Sequence, residues 1–156
     1  MADRTFRHLL VPTDGSDASV AAARLAFRLA RACEAHVDVL YVIDPRLCEE
    51  LRRFDRRELA AIEHELRAHG QTCVEVLREE GERLGLRVDT EVRGGDPFEE
   101  IVALARDHGV DLIVLGHVGR RPRARVLLGS VAERVLEYAD CPVLVVKHEP
   151  ARSNGG

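Results

Sequence analysis

The chain has 156 residues, 46% hydrophobic and 32% charged, with a formal net charge of −4 at pH 7. That length suits one domain, and the balance allows a buried core under a soluble surface, which excludes wholesale disorder and a collagen-like fibre. No apolar run approaches the roughly 20 residues of a membrane helix, and the opening MADRTFRHLL lacks a secretory apolar stretch. A soluble, cytoplasmic protein is expected.

With 23 basic against 27 acidic residues, no global field recruits nucleic acid or an anionic membrane. Lys147 is the only lysine, so a side chain that meets phosphate elsewhere must be Arg, Ser, Thr or His. The cysteines at 33, 48, 73 and 141 form no CxxC pair and read as free thiols. The seven histidines are scattered along the chain, and no metal site held by protein side chains alone is expected.

In chain order, His8 to Val11 reads as a buried strand ended by Pro12, followed by the turn-rich Thr13-Asp14-Gly15-Ser16-Asp17. Ala22, Leu25, Ala26, Leu29 and Cys33 predict a helix over about 16–35. Val37 to Ile43 is a second strand. The charged stretch 46–57 reads as a loop with a helical turn, and a helix is expected over about 55–84, bent or interrupted at Gly70 and Gly81. Leu86, Val88, Thr90 and Val92 alternate as a third strand. Asp96, Pro97 and Glu99 suit the N-cap, first position and capping box of a helix that Gly109 ends. Leu112 to Leu115 is a charge-free strand; a helix follows over about 130–139, and Pro142 to Val146 is the last strand.

Alternating strands and helices of these lengths make a mainly parallel sheet covered on both sides. Periodicity leaves the strand order open. In the order 3-2-1-4-5 the winding reverses between strands 1 and 4, which opens a crevice above their carboxyl ends. The two most unusual loops follow those strands.

The first loop, Pro12-Thr13-Asp14-Gly15-Ser16, reads by itself first as a strand-to-helix turn with an N-cap, and second as a place where Asp14 meets a ribose hydroxyl or a metal-bound water. The second runs Gly116-His117-Val118-Gly119, then through Arg120, Arg121, Arg123 and Arg125 to Gly129-Ser130 at a helix start. Glycines admit a phosphate close to the backbone, and a helix N-terminus presents free N–H groups. Arg125, nearest the helix, is the favoured counter-charge. Ser130 is available either to a phosphate or to a capping box with Glu133. His117 is expected to face solvent. No GxxxxGK[ST], no GxGxxG and no GxSxG is present, which disfavours a Walker-type phosphotransferase, a dinucleotide site and a nucleophile elbow.

Gly116-x2-Gly119-x9-Gly129-Ser130 resembles the G-2x-G-9x-G-[S/T] motif of the universal stress protein family. Leu10-Val11-Pro12-Thr13-Asp14-Gly15-Ser16, Val42-Ile43-Asp44, Leu128-Gly129-Ser130-Val131 and Cys141-Pro142-Val143-Leu144-Val145-Val146 agree with it, over residues 5–148 as a single domain with a flexible tail at 149–156. The resemblance implies a Rossmann-like (adenine nucleotide alpha hydrolase-like) α/β fold with order 3-2-1-4-5. It also implies a homodimer paired through the last strand, and ATP as ligand, with Mg2+ or Mn2+ reached by Asp14 through water. By position, Val42 resembles the residue whose backbone meets the adenine edge, with Pro12 and Thr13 alongside, and Asp14 the acidic residue near the ribose. Gly116, Gly119, Gly129, Ser130 and Val131 match the phosphate positions. The arginine-rich stretch containing Pro122 departs from the family pattern. The function implied is an ATP-binding, nucleotide-responsive regulatory module of stress physiology, in which the ligand biases the dimer or the contact with a protein partner that the sequence leaves unnamed. The alternatives are a slow metal-dependent ATPase or phosphotransferase and a nucleotide-free scaffold.

Overall fold

The computed structural model describes residues 5–119 and 128–148. The expectations for residues 120–127, Arg125 and Pro122 among them, and for the tail at 149–156 lie outside these residues. The five strands are β1 (His8–Thr13), β2 (His36–Ile43), β3 (Val88–Gly94), β4 (Leu112–Gly116) and β5 (Val143–Val146). They form one parallel sheet in the order β3-β2-β1-β4-β5. The helices are α1 (Asp17–Cys33), α2 (Pro45–Asp55), α3 (Leu59–Arg83), α4 (Pro97–Asp107) and α5 (Ser130–Tyr138).

Side chains alternate across a strand, so each strand feeds two cores. Leu9, Val11, Val37, Val39 and Val114 pack with Phe27 of α1, Cys48 of α2 and Ile62, Val74 and Leu77 of α3. Leu10, Leu40, Ile113 and Leu115 face the other way, onto Ile101 and Leu104 of α4 and Ala132 and Val135 of α5. The alanines of α1 (Ala22, Ala23, Ala26 and Ala30) are fully buried, which brings that helix close to the sheet.

The residues around 46–57 are not a loop but the 11-residue helix α2. Asp44 caps it by accepting a hydrogen bond from the Arg46 amide, Pro45 supplies the first turn, and buried Cys48 with Leu47 and Leu51 anchors one side. The many charges on its other faces hide that stripe from a sequence reading. Helix α3 starts at Leu59 and runs unbroken past Gly70 and Gly81. A β-carbon at Gly70 would lie 2.5 Å from the Tyr41 ring, and one at Gly81 2.6 Å from Val88 Cγ2. Both glycines thus serve close helix–sheet packing, and neither interrupts the helix. The third strand sits two residues later than expected, ending at Gly94. Helix α4 has the anticipated Asp96 N-cap, and Gly109, at φ +64°, follows its last turn in the left-handed conformation.

Pro12 lies inside β1 and does not end it. Its neighbours explain this: the His36 amide bonds the Arg7 carbonyl, whereas the Asp111 amide bonds that of His8. Alternation then turns Pro12, like His8 and Leu10, toward β4. The β1–β4 register ends at Leu10↔Ile113, so the missing N–H of Pro12 falls where the two strands part. The expected crevice begins there.

Candidate functional site

The crevice is a cavity of about 610 Å³ at the carboxyl ends of β1, β2 and β4, closed on one side by the start of α5. Pro12, Thr13, Asp14, Val42, Gly116, Gly119, Gly129, Ser130 and Val131 all line it. Every site residue anticipated from the sequence is therefore gathered here except Arg125, which lies outside the described residues.

Its floor is shaped by tight turns. Asp14 accepts a hydrogen bond from the Ser16 amide at 2.9 Å, and Ser16 in turn caps α1 by accepting from the Ser19 amide. Thr13 Oγ1 lies 2.9 Å from Ser19 Oγ and accepts from the Gly15 amide. A β-carbon at Gly116 would lie 3.0 Å from the Ala18 backbone, so only glycine lets the end of β4 touch the start of α1. At Gly129 it would lie 3.3 Å from the His117 carbonyl, to which the Gly129 amide donates a hydrogen bond. That bond ties the two glycine turns of the loop together.

The cap of α5 differs from the expected capping box. Gly129, not Ser130, occupies the N-cap, with extended backbone (φ −68°, ψ 156°) and no side-chain cap. Ser130 is the first helical residue, so its hydroxyl is not committed to a box with Glu133. The first amides of any helix lack intrahelical partners and carry partial positive charge. Gly129, Ser130, Val131 and Ala132, which carry these amides, all line the cavity.

His117 is half-buried rather than solvent-facing: its Nδ1 lies 3.3 Å from the donating amide of His148, and its own amide donates to the Val146 carbonyl. Residues that the sequence reading did not place in the site complete the lining, among them Leu40, Asp44, Arg46, Glu50 and Ile101. Arg46 reaches Asp44 and Asp96, each at 3.2 Å, which links the starts of α2 and α4 across the mouth. Its hydrogen bond to Asp44, then that carboxylate's charge, raises the guanidinium pKa further still. Pro45 after the second-strand landmark was the signal that α2 begins here; Arg46 follows from it.

The universal stress protein family model matches residues 5–147. This chain belongs to the universal stress protein family. Universal stress protein MJ0531 of Methanocaldococcus jannaschii is 39% identical over 145 residues, 93% of this chain and 84% of that protein. The solved structure of MJ0577 from the same organism matches with a TM-score of 0.82 at 32% identity, covering 94% of this chain and 99% of that one. A universal stress protein solved in complex with cAMP matches with a TM-score of 0.69 at 25% identity, over 92% and 98% of the two chains. Among the described residues no helix is long and apolar enough to cross a membrane.

Proposed function

We propose that this universal stress protein binds ATP in the crevice between β1 and β4 and acts as a nucleotide-responsive regulatory module in the stress response. The observation that carries the reading is the glycine N-cap of α5. A side-chain cap would occupy the helix amides, whereas Gly129 leaves them without one at the cavity wall, beside the Ser130 hydroxyl. The volume, about 610 Å³, suits a nucleotide-sized ligand. Leu40, Val42 and Ile101 supply an apolar floor for a base, while Thr13 and Asp14 offer polar groups for a ribose. The relative with bound cAMP supports an adenine ligand. Asp14, an oxygen donor, suits a Mg2+ or Mn2+ carried in with the triphosphate and reached through water.

Mass spectrometry of the small molecule released when the purified protein is denatured, followed by calorimetry with ATP, tests the reading. ATP released intact and rebinding with a stoichiometry of about one per chain supports it. A folded protein that gives no heat with millimolar ATP overturns it.

The sheet edge supports self-association. Val143 to Val146 are each half-buried, and β5 pairs only with β4 within the described residues. An open apolar edge strand invites pairing. We assign it to an antiparallel homodimer contact.

A further inference from the structure

His8 meets His36 and Asp38, about thirty residues further along the chain, at the amino ends of the strands, opposite the crevice. His8 and His36 open β1 and β2 and are register partners; Asp38 follows two residues later and pairs with Asp89 of β3. Alternation sets His8, His36, Asp38 and Asp89 on the face covered by α4, whose C-cap is His108. We propose that His8, His36 and Asp38 form a binding site for a divalent transition-metal ion of the zinc class, with Asp89 placed as a further ligand.

The donor atoms of His8, His36 and Asp38 all lie within 4.8 Å of one another. His8 Nε2 is 2.8 Å from Asp38 Oδ2, His36 Nε2 is 3.5 Å from Asp38 Oδ1, and His36 Nε2 is 2.8 Å from Asp89 Oδ2. Tetrahedral ligands about 2.0–2.1 Å from zinc stand roughly 3.4 Å apart, so side-chain adjustments on the order of 1 Å complete the shell.

His36 stands outside the hydrogen bonds that link His8, Asp38 and His108. His36 Nε2 is buried and makes no aligned hydrogen bond among the described residues, although both carboxylates are near. His36 Nε2 is thus close to both carboxylates in distance but misaligned in angle, which leaves its lone pair or hydrogen free for another partner. His8 Nδ1 lies 3.1 Å from the His108 carbonyl oxygen, which only accepts. Nδ1 is therefore the donor to that carbonyl, which leaves Nε2 as the nitrogen directed at Asp38 Oδ2. At 2.8 Å, Nε2 and Asp38 Oδ2 meet through a shared positive centre, either a proton or a bound metal ion, and the test below separates the two.

The surroundings supply what such a site requires. The Asp38 side chain is only 6% exposed, a burial that is costly for a carboxylate without countercharge. His108 Nδ1, 2.8 Å from Asp38 Oδ2, orients the carboxylate from outside the ligand set, as the His108 carbonyl orients His8. Two imidazoles with carboxylates select zinc, cobalt or nickel over magnesium or calcium. An adjoining cavity of about 230 Å³ leaves room for a water ligand. Along the six residues of β1 the cluster stands about 17 Å from the crevice, so this site is independent of the nucleotide reading.

The test is equilibrium dialysis of the chelator-stripped full chain against Zn2+ alone at neutral pH, with metal analysis and thermal melting. One ion per chain and a raised melting temperature are expected, with affinity reduced roughly tenfold or more in His36→Gln and in Asp38→Asn. Zinc that fails to bind the folded chain, or binds both variants as tightly as the parent, overturns the proposal. So does a melting temperature that rises on mild acidification with no zinc uptake, which assigns the cluster to protons. Because Asp38 is buried, the Co2+ spectrum of the unaltered chain provides a separate readout. Four-coordinate visible absorption without a thiolate charge-transfer band supports the site; a thiolate band places the ion on cysteine and overturns it.

Discussion

The β-carbon that Gly119 lacks would lie 3.1 Å from Oδ2 of Asp14. The loop after β4 thus rests against the loop after β1 closely enough that a side chain at Gly119 would have to shift the Asp14 carboxylate, and the carboxylate and the glycine turn share one wall of the crevice. A valine at Gly119 must displace Asp14 or lift the loop, and Ser130→Ala removes the hydroxyl at the start of α5. The double variant Gly119→Val/Ser130→Ala is expected to bind ATP at least roughly ten- to hundredfold more weakly, the loss of one or two charge-assisted hydrogen bonds. Neither position belongs to the core, so the unliganded melting temperature should change little. Calorimetry and melting on one preparation check both halves; unaltered affinity removes the phosphate assignment.

Gly70→Ala inverts the usual helix rule. In an open helix the change would stabilise by about 1 kcal/mol. Here the new methyl meets the ring of buried Tyr41 at 2.5 Å, and overpacking costs about 1–3 kcal/mol. A lowered urea midpoint is expected, and a raised one would mean that the ring yields freely.

Val145→Pro separates the edge from the sheet. The Ile113 amide bonds the Pro142 carbonyl and the His117 amide that of Val146, so alternation directs Val145 away from β4. Proline there keeps the β4 ladder and removes a donor from the free edge. Sedimentation should show a dimer for the parent and a folded monomer for the variant. A dimer that survives the substitution rejects pairing through β5.

Cys48 carries a pH signature. Burial first, then the charges of Glu63 and Asp44, push its thiol up. The unfolded thiol ionises near pH 8.5 while the folded one resists, so the unfolded state gains stability as pH rises past that value. The urea midpoint should fall between about pH 8 and 10, and fall less in Cys48→Ala. Iodoacetamide at mildly alkaline pH should label half-buried Cys33 well before buried Cys48, as peptide mapping would show.

Much of the architecture was legible because its signals are local. Asp96-Pro97 starts α4 as read, and Gly109 ends it, since a cap depends on a handful of neighbouring dihedrals. The motif spacing from Gly116 to Ser130 likewise anticipated which residues gather at the crevice. Misreadings arose where a residue serves something distant. Pro12 looks like a terminator until β4 is seen to leave β1 at that point, and Gly70 looks like a helix break until Tyr41 is placed against it. In α2 three apolar residues amid charges make a weak stripe, which holds as a helix because α3 and the sheet receive it.

Strand periods, helix caps and the glycine spacing of the loop after β4 are written along the chain, because each is satisfied within a few residues of itself. The meeting of His8, His36, Asp38 and His108 is of another kind. It exists because β1 and β2 lie side by side in register and α4 returns to their amino ends. Burial of two hydrophobic faces imposes that arrangement, and it brings together side chains up to 100 positions apart that no local pattern connects.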